Sequence, residues 1–232
     1  MRIFDLDGPL MSILNKIADM MILNILAIIC CLPIFTAGAS ITALHYVCLK
    51  IVRNEEGYIA RGFFKAFKEN FKQATIIWLG VLVAVLLLLA DFWLIKEYEL
   101  DLGYWFKVVL GAIFVLVIFT ATFVFPALAR FSNTTLQTIK NAFAMSILQF
   151  PKTILMIILY IIPVVAGIFF YQAIPFVLLF GLSVPVWLSA MLYNKFFLGL
   201  EEKILENQEK KEEEDDGEKI FSDAPMEIGS EE

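Results

Sequence analysis

The sequence predicts an all-α, polytopic membrane bundle. Three observations predict it: 60% of the 232 residues are hydrophobic and only 18% charged, mean hydropathy is +0.79, and four uncharged windows each reach spanning length. Ordinary globular domains are about 45–50% apolar. A hydrocarbon core of about 30 Å needs roughly 20 helical residues, so a window of that length is a crossing rather than a core helix. Open backbone cannot face lipid, and nothing in the chain alternates over ten residues as a barrel strand does, so the crossings must be helices.

The windows are Met20 to Leu49, Gln73 to Ala90, Val108 to Ala129 and Thr153 to Asn194. The first three hold one span each. The last holds two, divided near Pro175 after Tyr171-Gln172-Ala173, which gives five spans. In the first window Pro33 and Gly38 interrupt thirty uncharged residues. Residues 17–35 form a full crossing, and Ala39 to Leu49, with Ser40, Thr42 and His45, is short and polar enough to sit partly inserted. That places the N-terminus outside. Two crossings there would make six spans and place it inside. Ala37-Gly38-Ala39 also has the small-x-small form of a signal-peptide cleavage site, but the residues before the apolar run are too many and too acidic for a typical leader.

Positive charge orients the connections. Lys50, Arg53, Arg61, Lys65, Lys68 and Lys72 lie between the first and second windows, and Arg130, Lys140 and Lys152 between the third and fourth. The connection from Asp91 to Phe106 sets Lys96 against Asp91, Glu97, Glu99 and Asp101. Basic connections and C-terminus are therefore expected in the cytoplasm, and the acidic connection and Pro175 turn outside. The net charge of −6 belongs to the tail: residues 201–232 carry four lysines and fourteen acids, a net −10, which leaves +4 on the other two hundred. The chain divides into a transmembrane domain over 1–200 and an acidic cytoplasmic tail over 201–232, largely disordered after about 212. Helix is expected past Asn194, where Phe197, Leu200, Ile204 and Leu205 keep a stripe. No nucleic-acid partner is expected.

Two amphipathic segments lie outside the spans. In Arg61 to Gln73, Phe63, Phe64, Phe67 and Phe71 share one side at helical spacing, flanked by Arg61, Lys65, Lys68 and Lys72. Such a helix can lie in the membrane interface, with rings in the acyl boundary and lysines reaching anionic headgroups. It can also dock a cytoplasmic partner through Phe64, Phe67, Lys68 and Phe71. Asn133 to Phe150 repeats the theme, and an offset of 76 pairs Ala66-Phe67 with Ala142-Phe143, Gln73 with Gln149 and Leu79 with Leu155. Convergent composition explains these identities about as well as duplication.

Candidate chemistry is sparse. His45 is the single histidine, which removes His-cluster metal sites and most Ser-His or Cys-His catalysis. It is expected to pack inside the helices. No P-loop is present, and Cys30, Cys31 and Cys48 have neither zinc nor disulfide spacing. No enzyme and no cofactor are expected. The segment around Pro33, Thr36, Gly38, Ser40 and Thr42 is the best ligand candidate, because a broken helix at membrane depth exposes oriented N–H groups, and Thr36 or Ser40 could cap the restarted helix. The alternative is close packing through small residues. Asp19, Asp91 and Lys107 fall near predicted span ends, and Asn24, well inside the first span, is expected to join helices rather than touch substrate. Pro126, Pro163 and Pro185 mark kinks or helix ends.

Phe4-Asp5-Leu6-Asp7-Gly8-Pro9-Leu10, Leu32-Pro33-Ile34-Phe35-Thr36-Ala37-Gly38-Ala39-Ser40 with Ala43-Leu44-His45-Tyr46-Val47, and Phe63-Phe64-Lys65-Ala66-Phe67-Lys68-Glu69-Asn70-Phe71-Lys72-Gln73-Ala74 together resemble the YesL-type family of bacterial membrane proteins. The resemblance covers about residues 1–200 and is most specific in the N-terminal third. It implies a plasma-membrane protein of no established activity, often encoded beside carbohydrate ABC transporters. An accessory role toward ABC transporter subunits follows by association, although the chain has no EAA-type loop of a permease proper. The alternative expectation is a small solute transporter or permease component working through the break at 33–42.

Overall fold

In the computed structural model, residues 9–55, 57–98 and 104–222 are described, and among them the regular elements are helices. They are α1 (Pro9–Cys31), α2 (Ala37–Val52), α3 (Ile59–Glu97), α4 (Tyr104–Arg130), α5 (Thr135–Leu148), α6 (Phe150–Phe169), α7 (Ile174–Phe180) and α8 (Ser183–Ser222), with 3-10 turns at Ile34–Thr36 and Tyr171–Ala173. The opening motif through Gly8 and the end of the tail from residue 223 lie outside the described residues. The expectation of disorder after about 212 therefore falls partly on the end of α8 and partly outside the description.

Five helices are long and apolar enough to cross a membrane, and there are six such segments if α7 and α8, bent by 57° at their junction, count as one. The sequence expected one crossing in residues 20–49 and two in 153–194, whereas the five long helices are α1, α2, α3, α4 and α6. Residues 39–49, expected to be a short, partly inserted piece, belong to a longer helix, Ala37–Val52, with eleven buried residues, and Ile34–Val52 is of spanning length. Its polar side chains are satisfied internally, as set out below.

Two structural units are separable, Met1–Leu192 and Tyr193–Glu232. In the first, α2 is the central helix, packed along α3 and touching α1 and α4, while α4 also packs on α3 and α5. α1 packs against α7, and α6 against α4 and α7. Leu88 and Ile95 of α3 meet Leu110 of α4, with Phe114 and Val117 against them, which closes the far end of the α3–α4 pair. The outward faces are strongly apolar, with Leu87 62%, Ile162 55% and Ile168 73% exposed. A water-facing surface rarely carries so continuous an apolar cover. The helices suggest a multi-pass membrane protein. The second unit is the continuation of α8, where the Tyr193 and Phe197 rings lie 4.6 Å apart.

Local sequence sets the ends. Pro33 disfavours helix at Leu32 and stops α1. α2 ends in a Schellman arrangement: Asn54 takes the left-handed conformation at φ 54°, its N–H donates to Ile51 O at 3.2 Å, and that of Glu55 donates to Lys50 O at 3.0 Å. At the α5–α6 corner, Pro151 sits in the first turn of α6, where its missing N–H is tolerated. Thr153 Oγ1 stitches that corner to Ser146 O at 2.8 Å and Gln149 O at 3.0 Å. Pro126 and Pro163 lie inside uninterrupted helices rather than at their ends.

The two amphipathic segments prove unlike. Residues 59–72 are the first turns of a single 39-residue α3, whereas 135–148 form a separate helix ahead of α6. The paired glutamines differ accordingly, since Gln73 lies within α3 and Gln149 is the residue at the α5–α6 break.

Candidate functional site

Three places can be built upward from the residues: the break between α1 and α2, the aromatic-basic start of α3, and a cavity in the middle of the first unit.

At the break, Thr36 Oγ1 donates back to Cys30 O at 2.6 Å and Pro33 O at 2.8 Å, so it does not cap α2 as expected. Ser40 Oγ donates to Ala27 O at 2.9 Å, pinning α2 to α1, and Thr42 Oγ1 donates to Gly38 O at 2.8 Å. All three hydroxyl protons are thus directed at main-chain carbonyls. Gly38 faces α3 at such close range that a Cβ would lie 2.5 Å from Trp78 Cβ and 2.6 Å from the Ala74 carbonyl oxygen. The Trp78 indole N–H then donates to Ile34 O at 2.8 Å, tying α3 to the turn. Pro33 itself is exposed and stops the preceding helix. The segment is arranged as a packing joint among α1, α2 and α3.

The start of α3 splits the aromatic stripe that the sequence groups together. Phe63 is fully buried, stacked with Phe67 at 6.3 Å and edge-on to Phe64 at 5.7 Å. Phe64 (44%) and Phe71 (36%) are exposed, Phe67 is half-buried, and Lys68 is exposed beside them with Arg61, Lys65 and Lys72. Lys65 makes a loose i,i+4 ion pair with Glu69 at 3.9 Å, a type worth only a few tenths of a kcal/mol. Further along, Gln73 Nε2 donates to Asn133 O at 2.9 Å and to Thr138 Oγ1 at 3.3 Å, fixing the α4–α5 turn against α3. A polar cleft of about 680 Å³ lies there, bordered by Glu69, Asn70, Arg130 and Ser132 among others.

The cavity, about 480 Å³, is walled by α1, α2, α4, α6, α7 and the start of α8. His45, 2% exposed, meets the Tyr160 ring edge-on at 6.4 Å, and both side chains border the space. Tyr160 Oη donates to Ser189 Oγ at 2.9 Å, and Ser189 Oγ donates to Val186 O at 2.7 Å. Thr122 Oγ1 donates to Ile118 O at 2.8 Å. The expectation that His45 packs inside the helices is met. The cavity itself was not legible in the sequence, because its wall draws on residues more than 150 positions apart. The one available signal was the break at Gly181, whose missing side chain avoids a collision with the Val177 carbonyl.

Asn24, expected to join helices, does so at that break, where its side chain engages Leu178, Leu182 and Ser183. Asp19 is half-buried, and Asp91 and Lys107 are exposed. The three cysteines are free thiols. Among the described residues, no group of three His, Cys, Asp or Glu side chains is placed to hold a metal ion.

Residues 20–92 match a family model described as a protein of unknown function, DUF624, which takes in the second half of α1, all of α2 and most of α3. No curated protein matches the chain, and no solved structure does. The part of the chain similar to that uncharacterised family thus contains both the packing joint and the aromatic-basic start of α3.

Proposed function

We propose that this chain is a non-enzymatic accessory protein of a bacterial plasma membrane, docking a transport partner on the start of α3. The observation that carries the reading is the continuity of α3. A helix of 39 residues is about 58 Å long, against a hydrocarbon core of about 30 Å. The 14 residues before Gln73 continue the same helix for about 21 Å along α2, with Gly62 against Val47, instead of forming a separate helix. Exposed Phe64 and Phe71, flanked by Arg61, Lys65, Lys68 and Lys72, then stand where a protein partner can reach them, and aromatic anchors ringed by cations suit such a contact.

The positive-inside rule assigns the α2–α3 and α4–α5 connections to the cytoplasm. That the partner is a carbohydrate ABC transporter rests on the YesL-type resemblance alone. The alternative, a small solute transporter or permease component working through residues 33–42, finds less support, because the hydroxyls of Thr36, Ser40 and Thr42 are spent on main-chain carbonyls.

The test is a mild-detergent pull-down of the C-terminally tagged protein from native membranes, beside a Phe64→Glu/Phe71→Glu variant. ABC transporter subunits recovered with the wild type and lost with the variant support the reading. Recovery of the protein alone in both cases counts against it.

A further inference from the structure

We propose that the cavity between α2, α4, α6 and the broken α7–α8 is a lipid site that holds one acyl chain of a phospholipid, entered sideways from the bilayer.

Depth is the first argument. Tyr160 is the eleventh of the 20 residues of α6, and His45 the ninth of the 16 of α2, so the cavity sits near the middle of both apolar helices. The medium at that depth is hydrocarbon.

Chemistry is the second. Of the polar side chains in the wall, the Tyr160 hydroxyl donates to Ser189 Oγ behind it, that of Thr122 donates to a helix carbonyl, and the His45 ring packs edge-on against Tyr160; the rest is carbon, with Ile41, Leu44, Ala121, Phe125, Val177 and Val186. Such a wall does not bind a sugar or an ion. It accepts an alkyl chain, and at about 480 Å³ the space falls within the roughly 300–1,000 Å³ of ordinary ligand pockets.

Access is the third. Val164 of α6 is 60% exposed and Leu182 of the break is 38% exposed, while Leu44 and Val186 behind them are buried. The cavity therefore reaches the outer apolar face between α6 and the break, where bilayer lipid lies. The break itself is built in, through the bare Gly181 and the Asn24 hydrogen bonds to Leu182 and Ser183, so the opening needs no unfolding. The site is independent of the docking surface on α3.

The experiment reconstitutes the full chain in phosphatidylethanolamine and phosphatidylglycerol vesicles that contain a phosphatidylcholine with a photoreactive diazirine midway along one acyl chain. After illumination, labelled residues are located by peptide mass spectrometry. Ile41 and Ala121, half-buried and bordering the cavity, are expected to be labelled together with the outward Ile161 and Val165. Ala121→Trp fills the space and is expected to lose the Ile41 label while the Ile161 and Val165 labels persist, which also reports that the variant remains inserted. Wild-type labelling confined to Ile161 and Val165 overturns the proposal, whether or not the variant folds. An Ile41 label that survives Ala121→Trp overturns it as well, because the chain would then reach α2 by another route.

Discussion

Asn24 Oδ1 accepts the backbone N–H groups of both Leu182 and Ser183, each at 2.8 Å, while its Nδ2 donates to Leu178 O, also at 2.8 Å. A single amide in α1 thus caps both sides of the break between α7 and α8. The break frees main-chain groups inside an apolar bundle, where water cannot satisfy them. Asn supplies an acceptor and a donor in one side chain, which a carboxylate and Leu do not.

Asn24→Leu is expected to lower stability by about 2–4 kcal/mol, since it orphans two buried N–H groups and a carbonyl at about 1–3 kcal/mol each, partly relieved by local rearrangement. Asn24→Asp, when ionised, keeps the acceptor but loses the donor and adds a charge, and when protonated it offers one O–H in place of the amide NH2. It should not restore the wild-type value. Thermal unfolding in detergent micelles measures both, and a wild-type Tm in Asn24→Leu would show that the clamp does not hold the break.

Two glycines in contact with the α2–α3 pair separate by their surroundings. A Cβ at Gly38 would press on the Trp78 Cβ and on the rigid Ala74 carbonyl, so Gly38→Ala must push α2 from α3 at about 1–3 kcal/mol. At Gly62 the nearest atom is Val47 Cγ2 at 3.7 Å, an ordinary contact. Gly62→Ala should be neutral or stabilise by about 0.5–1 kcal/mol, as alanine does inside helices. The two variants are compared by Tm under identical conditions.

Adjacent phenylalanines on α3 should divide between folding and contact. Phe63 is fully buried, and Phe63→Ala should cost about 3–5 kcal/mol. Phe64→Glu at an exposed position should change stability by no more than about 0.5 kcal/mol. A large loss of Tm in Phe64→Glu would mean that its ring holds the bundle together, and the pull-down variant would then need replacement.

Gln73 should act on one corner only. Gln73→Leu removes the donor to Asn133 O and Thr138 Oγ1 and is expected to cost about 0.5–1.5 kcal/mol. Amide exchange should rise around 131–138, with the α1–α2 break unchanged. Equal protection in both proteins would show that packing of α5 on α4 suffices without this bond.

Hydropathy alone determined the helical class, because a bilayer requires long uncharged helices and the chain has little else, but it did not show that residues 20–49 divide into two helices of spanning length. It also indicated Asn24 as a joining residue and His45 as a packed one, since a lone polar group among aliphatic residues has few other low-energy choices. Only tertiary structure decided what the polar and small residues at the two breaks do. The hydroxyls of Thr36, Ser40 and Thr42 look like ligand donors in the sequence, and turn to backbone carbonyls once α1 and α2 pack. Helical spacing put Phe63 and Phe64 on one aromatic stripe, but tertiary packing buried the first and left the second exposed. The continuity of α3 through Gln73 and the cavity beside His45 were likewise undetermined, because each depends on neighbours distant in the chain, and local periodicity carries no record of them.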